Sequence, residues 1–433
     1  MFQIVYNFVL ACSAVVTVVA LAFAIAIMGV WPFPVAQQIN LSVFQGEPGV
    51  EIGLLQKLEN DFGGRPWRKL VYRHHKSNPD LEPVSFPGLA PGAVPPRMYI
   101  SPDAPRGYRI VIGAFNLKDG FDAALLIDTD GAVRHWWPLR EDEAVGGEGV
   151  RNTFVHGFVV NPDGSVIFAM DLGNSISRID ACGHPMWIRS GKYSHAINRA
   201  DDGSIWALRE YSLMHLDSRT GETLQELHLA TIMEQNPDID IFALRQADRL
   251  GESEWTADFW HPNEVEPLPA DLADRFPDFE AGDLLVSLRS INLVFVASPK
   301  TAKVKWWRMG AWRRQHDPDW GDDGRILVYD NRMHRNFSRI VSVDPKTFEQ
   351  QTLVDGADYD FHSAIRGKVQ RHSGGALLVT ASQQGRVFEV DASGRVTFEF
   401  ESNFSEEANF AVSEAMFIPE NYFEFDRFPQ CPR

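Results

Sequence analysis

Cysteine is scarce in this chain, with three residues among 433, at Cys12, Cys182 and Cys431. They are too few and too scattered for a disulfide scaffold, and no two stand close enough for a cysteine zinc site. Cys182 and Cys431 could pair in an oxidising compartment, which the sequence alone leaves open. Positive charge is also short. Lys and Arg number 41 against 58 Asp and Glu, a formal net charge of −17. Phosphate backbones are held mainly by Lys and Arg, so this balance excludes nucleic acid as a partner. Absent too are a Walker-type lysine loop, a dinucleotide glycine fingerprint, a GxSxG elbow and an HExxH pair. Nucleotide, serine-hydrolase and zincin chemistries therefore have no motif to rest on. What is present, 44% hydrophobic and 23% charged side chains, describes a folded chain with a large core.

The N-terminal end lacks charge altogether until Glu47. Its run IVYNFVLACSAVVTVVALAFAIAIMGV, from Ile4 to Val30, has bilayer length, too long for a signal-peptide apolar region and without a clear basic flank or small-x-small site. It predicts an uncleaved anchor over 1–36 with a transmembrane helix over about 5–30, ending at the Trp31, Pro32, Phe33, Pro34 interface, so membrane lipid is an expected partner. Residues 37–105 read as a connector, with a short helix from Val50 to Asn60 and a Pro- and Gly-rich stretch from Pro79 to Pro105. A membrane-protein partner could meet it there. Lys57, Arg65, Arg68, Lys69 and Arg73 follow the helix and favour that side as cytoplasmic, although long domains cross regardless of charge.

From Arg109 onward, apolar residues alternate in short runs broken by Asp-Gly and Pro-Asp turns, which is the pattern of strands. One phrase recurs: LLIDTDGAVRHWWPL from Leu125, ISRIDACGHPMWIRS from Ile176, LMHLDSRTGETLQEL from Leu213, LVFVASPKTAKVKWW from Leu293, IVSVDPKTFEQQTLV from Ile340 and VFEVDASGRVTFEF from Val387. A second strand pair precedes most copies. Units of four antiparallel strands repeated in this way predict an all-β fold, a six-bladed β-propeller over 106–420 with a C-terminal tail over 421–433. The first unit lacks a fourth strand and NFAVSEAMFIP lacks a blade, so the two are expected to combine and close the ring. The segment from Thr231 between the third and fourth phrases breaks the pattern and reads as a lid or an external insertion.

Five units place a histidine at the start of the first strand: His156, His195, His261, His316 and His362. If that strand is innermost, all five converge at one mouth of the channel. Arg209, Arg289 and Arg332 fall at the adjacent ends of second strands, at the same face. Guanidinium and imidazole groups together suit attack on a central atom whose peripheral oxygens need holding, as in sulfuryl or phosphoryl transfer. A ring of histidines also suits a metal, but neighbouring arginines oppose a dication, and no metal or other cofactor is expected. Trp260, Trp312 and Trp320 could stack on an aryl ring or simply pack.

The phrases FWHPNEVEPL, GDLLVSLRSINLVFVAS with VKWW, and WRRQHDPDWGDDGRILVYDN resemble the arylsulfotransferase family, over about Phe115 to Phe417. The resemblance implies a six-bladed propeller, exported in bacteria, that moves a sulfuryl group from an aryl sulfate donor to a phenolic acceptor without a nucleotide sulfate. A histidine is transiently sulfated. Carried across, His316 and Arg332 match the family's paired histidine and arginine, His261 a further site histidine, and His362 the nucleophile. His372 is set aside because it falls at the opposite end of its strand. His195, His156, Arg289, Arg209 and Asn331 are expected to bind substrate. The implied protein is a membrane-anchored aryl sulfotransferase whose propeller lies in the periplasm or outside the cytoplasm. The competing readings are a silent membrane-tethered propeller that binds a protein or glycan, and a metal-dependent propeller lyase or oxidase.

Overall fold

The computed structural model describes residues 69–72, 75–140, 154–171, 173–239, 260–333, 335–405 and 408–431. The expected anchor, 1–36, and the helix between Val50 and Asn60 lie outside them. Among the described residues no helix is long and apolar enough to cross a membrane.

Each recurring phrase supplies the third and fourth strands of a sheet, and the second strand pair supplies the first two. The described residues form six such antiparallel blades. The inner strands are Val412–Ile418, Phe154–Val160, Tyr193–Arg199, Pro262–Pro267, His316–Trp320 and Lys368–His372, for the first to sixth blade. The first blade joins both ends of the domain, because Val412–Ile418 pairs with Tyr108–Ala114. The ring thus closes as the unpaired NFAVSEAMFIP phrase implied.

Blades stack face against face, so the middle strands are buried on both sides. Every residue of Leu284–Leu288 and of Leu293–Ala297 is buried. Each such Leu, Val or Phe contributes about 1.5–3 kcal/mol relative to exposure. Between the third and fourth blades, Leu213 and Leu227 share one apolar cluster with Val286 and Phe295.

Part of the expected connector is built into the propeller. Arg97–Ile100 and Glu82–Pro83 extend the sixth blade to six strands, and Leu70–Tyr72 pairs with Ala408–Phe410. A buried ion pair and a buried hydrogen bond fix this segment: Lys69 Nζ lies 2.6 Å from Asp122 Oδ2, and His75 Nε2 2.8 Å from Glu401 Oε1. The tail is fixed as well. Tyr422 donates its hydroxyl to Val160 O (2.6 Å), Phe428 stacks on His135, and Cys431 is bonded to Cys182. The broken pattern after the third blade begins with a helix, Leu229–Gln235, whose Leu229 and Ile232 join the cluster between the third and fourth blades. Residues 240–259 lie outside the described ones.

Candidate active site

A shared backbone irregularity aims the mouth residues. Inner strands carry bulges between Val155 and Phe158, Ser194 and Ile197, Pro262 and Glu264, and His316 and Asp319. A bulge turns a side chain out of the alternating pattern, here toward the axis. The local backbone is left-handed at His195, His261 and Asp317, with φ of 65°, 48° and 49°. In the second blade Gly157 takes that conformation, and a Cβ there would stand 2.7 Å from His195 O. This close approach brings the His156 and His195 rings to 4.1 Å between centroids.

From these positions a hydrogen-bonded chain runs across two blades. Arg289 Nη2 lies 3.3 Å from His261 Nδ1, His261 Nε2 lies 3.0 Å from His195 Nε2, and His195 Nδ1 lies 2.8 Å from Ser194 Oγ. Arginine only donates, so His261 accepts at Nδ1 and donates from Nε2. His195 then accepts at Nε2 and donates from Nδ1 to Ser194.

His316 is held differently. Its Nδ1 donates to Asn331 Oδ1 (2.7 Å), and its Nε2 accepts the Arg366 backbone N–H (3.1 Å). Asn331, fully buried, donates Nδ2 to Ser363 O (2.7 Å) and Arg366 O (2.5 Å). It thereby locks the fifth blade to the loop leading into the sixth. His156 lines the mouth with neither ring nitrogen bonded to a described residue.

The rings are biased toward neutrality. Burial, followed by the nearby cations Arg366 and Lys368 and the neighbouring rings His316 and His261, holds His156 well below the usual histidine range. Burial does the same for His195, with smaller effects from His156, His261, His316 and Arg289, and for His316, reinforced by Arg289. Loss of water penalises the charged form, and adjacent positive charge adds to it.

The structure gathers His156, His195, His261, His316 and Arg289, and the four other expected residues are held as follows. His362 precedes the inner strand Lys368–His372, and its backbone N–H donates to Gln384 Oε1 (3.3 Å). The sixth-blade position is instead held by Arg366 and Gly367. Arg209 turns outward, its Nη2 donating to Glu226 Oε1 (2.8 Å) on the outermost strand Thr223–His228. Asn331 is spent on the bonds just described. Arg332 sits in a left-handed turn (φ 50°), and no described side chain pairs with its guanidinium. His372 stacks on Phe417 at the far end of its strand. Trp312 and Trp320 pack in the cluster between the fourth and fifth blades, and Trp260 meets Tyr211 edge-on.

Arg366 is the mouth residue that sequence reasoning missed. Its guanidinium lies 3.9 Å from the centroid of the Phe154 ring and 3.8 Å from Asp171 Oδ2. The signal was present: Arg366-Gly367 in IRGK repeats His156-Gly157 in VHGF, and both glycines have positive φ. A Cβ at Gly367 would stand 2.3 Å from the Tyr329 ring.

Behind the histidines an enclosed pocket of about 10 Å³ leads along the axis to Asn263, Asp317, Lys368, Ser413 and Glu414. Lys368 Nζ is 2.5 Å from Asp317 Oδ1 and 2.8 Å from Glu264 Oε2. Among the described residues no group of acidic, histidine or cysteine side chains has a metal-holding arrangement.

A closed six-bladed propeller with a histidine- and arginine-lined mouth is the class that fold and site define. The family model described as Arylsulfotransferase (ASST) matches residues 147–403, and the chain belongs to that family. No curated protein matches. Among solved structures, a protein of unknown function from Bacteroides caccae is similar at 12% identity and TM-score 0.48, over 72% of this chain and 100% of that one. A virginiamycin B lyase from Staphylococcus aureus is similar at 14% identity and TM-score 0.34, over 57% and 69%. Neither similarity bears on the site.

Proposed function

We propose that this protein transfers a sulfuryl group from an aryl sulfate ester to a phenolic acceptor through a sulfated histidine, without a nucleotide sulfate. Family membership supports the reaction class, and the observation that carries the site reading is His156. Its ring is buried, held neutral, unbonded to any described residue, and close to the Arg366 and Lys368 charges. His195, His261 and His316 have their nitrogens committed to partners, so His156 is the ring with a free lone pair at the mouth.

In the first half-reaction a His156 nitrogen forms the N–S bond while the S–O(aryl) bond breaks, and the electron pair leaves on the phenolate. Arg366 and Arg289 hold the sulfuryl oxygens, whose charge is spread as in phosphoryl transfer. In the second, the acceptor oxygen displaces the imidazole and gives its proton to water, which in turn protonates the phenolate released by the donor. The His195–His261 chain holds Arg289 in place at the mouth. His316, fixed by Asn331 and Arg366, positions the loop that carries Arg366. His362 is the competing nucleophile implied by the family resemblance.

The test is acceptor-dependent phenol release from a chromogenic aryl sulfate by the full chain, with protein-bound sulfate trapped by quenching. His156→Ala is expected to lower release by on the order of a thousandfold or more and to abolish trapping, while His362→Ala retains both. The reverse result moves the nucleophile to His362. Folded wild-type protein that turns over no aryl sulfate in a broad donor panel sinks the reading.

We further place the propeller in an oxidising, extracytoplasmic compartment, tethered to lipid through 1–36. The Cys182–Cys431 disulfide supports that placement.

A further inference from the structure

The channel has a second end. Beyond the enclosed pocket it opens into a cavity of about 420 Å³ at the face opposite the histidines. Its apolar wall includes Trp320, Phe417 and Tyr422, and its inner end is acidic. Glu264 and Glu266 come from the fourth blade, Asp317 and Asp319 from the fifth, and Glu414 from the first. One lysine, Lys368, answers them, and it is bonded to Glu264 and Asp317.

Two polar atoms here have no hydrogen-bond partner among the described residues. The Ser413 hydroxyl and Asn263 Oδ1 are buried without a hydrogen bond, and beside them stand the half-buried Asp319 and Glu414 carboxyls. Ser413 is 5% exposed and Asn263 3%. Both line the enclosed pocket together with Glu414 and Lys368. Buried polar groups are nearly always bonded, so two unbonded ones beside half-buried carboxyls on a single passage mark a place for a ligand.

We propose that this cavity binds an organic ammonium ion, a protonated primary amine carried on an apolar or aryl body. The ammonium group supplies what the passage lacks, three hydrogen-bond donors and a positive charge near Glu414, Asp319 and Glu266. Trp320, Phe417 and Tyr422 receive the body, and aromatic faces also attract cations. The site is separate from the sulfuryl-transfer mouth and does not depend on that reading.

Without such a ligand, burial favours the protonated form of these carboxyls. Burial raises Glu414 to about 8 and Glu264 to about 7, and burial pushes Glu266 and Asp319 well above the usual range. The groups facing Glu414 are Lys368 and the carboxyls of Glu264, Glu266, Asp317 and Asp319. At the rim Arg371 is tied to Asp323, and Arg199 donates to Val160 O. A bound ammonium replaces the protons, so they are released on binding and affinity rises with pH.

The experiment is calorimetric titration of the full chain with benzylamine, against benzyl alcohol as the neutral comparator, in buffers of different ionisation enthalpy. Benzylamine is expected to bind about tenfold tighter or better, releasing about one proton, with affinity rising about tenfold per pH unit between roughly pH 6 and 8. Glu414→Gln combined with Asp319→Asn is expected to remove the preference for the amine. Should that variant fail to fold, the pH dependence of the wild type decides the matter alone. Equal affinity for the alcohol, pH-independent binding without proton release, or displacement of benzylamine by an aryl sulfate would overturn the proposal.

Discussion

Burial at His156, His195 and His316 fixes which protonation state the mouth presents. All three rings have folded-state values well below 6.5, with burial as the largest cause. A neutral nucleophile is thus retained on the acid side of the range where a free histidine would already be charged. The acid limb of kcat/KM for aryl sulfate is accordingly expected well below pH 6.5, and a pH–rate profile checks it. Replacing Arg366 by Gln removes one of the charges that depress His156, so the limb should move up while remaining below the free-histidine value. An unmoved limb would disconnect Arg366 from His156. The mouth was legible where spacing set it: VHGF, YSHAI, FWHPN and RQHDP all put histidine at a bulged inner-strand start. DFHSA has the same look but falls before its strand, because the bulge equivalent in the sixth blade is Arg366-Gly367. The outward turn of Arg209 could not be read, since its partner Glu226 is set by cross-strand register and not by neighbouring sequence.

Elements meet at the inner strands, where the apolar alternation is interrupted by buried charge. Arg109, on the strand beside the closing one, donates from Nη2 to Glu389 Oε2 of the sixth blade at 2.8 Å, with both side chains fully buried. The guanidinium also lies 5.4 Å from the Phe398 ring centroid and 5.3 Å from that of Phe417. Arg109→Ala leaves the buried Glu389 with Thr397 Oγ1 (2.7 Å) and His372 Nε2 (3.2 Å) but no arginine, and is expected to destabilise by about 3–5 kcal/mol, read from denaturant midpoints. Arg109→Met with Glu389→Leu removes both charges and should recover much of that loss. A single variant as stable as wild type would show that water reaches Glu389. The blades themselves were legible in the recurring phrases, because Asp-Gly turns and period-two alternation are local. The role of 69–105 was not, since Arg97–Ile100 pairs with Val396–Glu401, far away in sequence, and a Pro-rich stretch carries no sign of that partner.

Closure of the whole ring rests on joining distant parts of the chain twice. Val412–Ile418 completes the first blade beside Tyr108–Ala114, and a disulfide then ties Cys431 to Cys182 in the second, across 249 residues. Between these ties the tail lies over the face opposite the histidines, with Tyr422 in the wall of the acidic cavity and Phe428 stacked on His135. A cross-link over so long a loop stabilises mainly by limiting the unfolded ensemble, typically by about 2–4 kcal/mol. Cys182→Ser with Cys431→Ser should therefore lower the unfolding free energy by about that amount, measured against wild type with and without reductant. Reductant should bring wild type down to the variant and leave the variant unchanged. Aryl-sulfate turnover, residing at the other face, should persist below the new melting range. Turnover lost while the melting range stays put would mean that the tail reaches the mouth through the channel, and would join the two ends of the passage into one site.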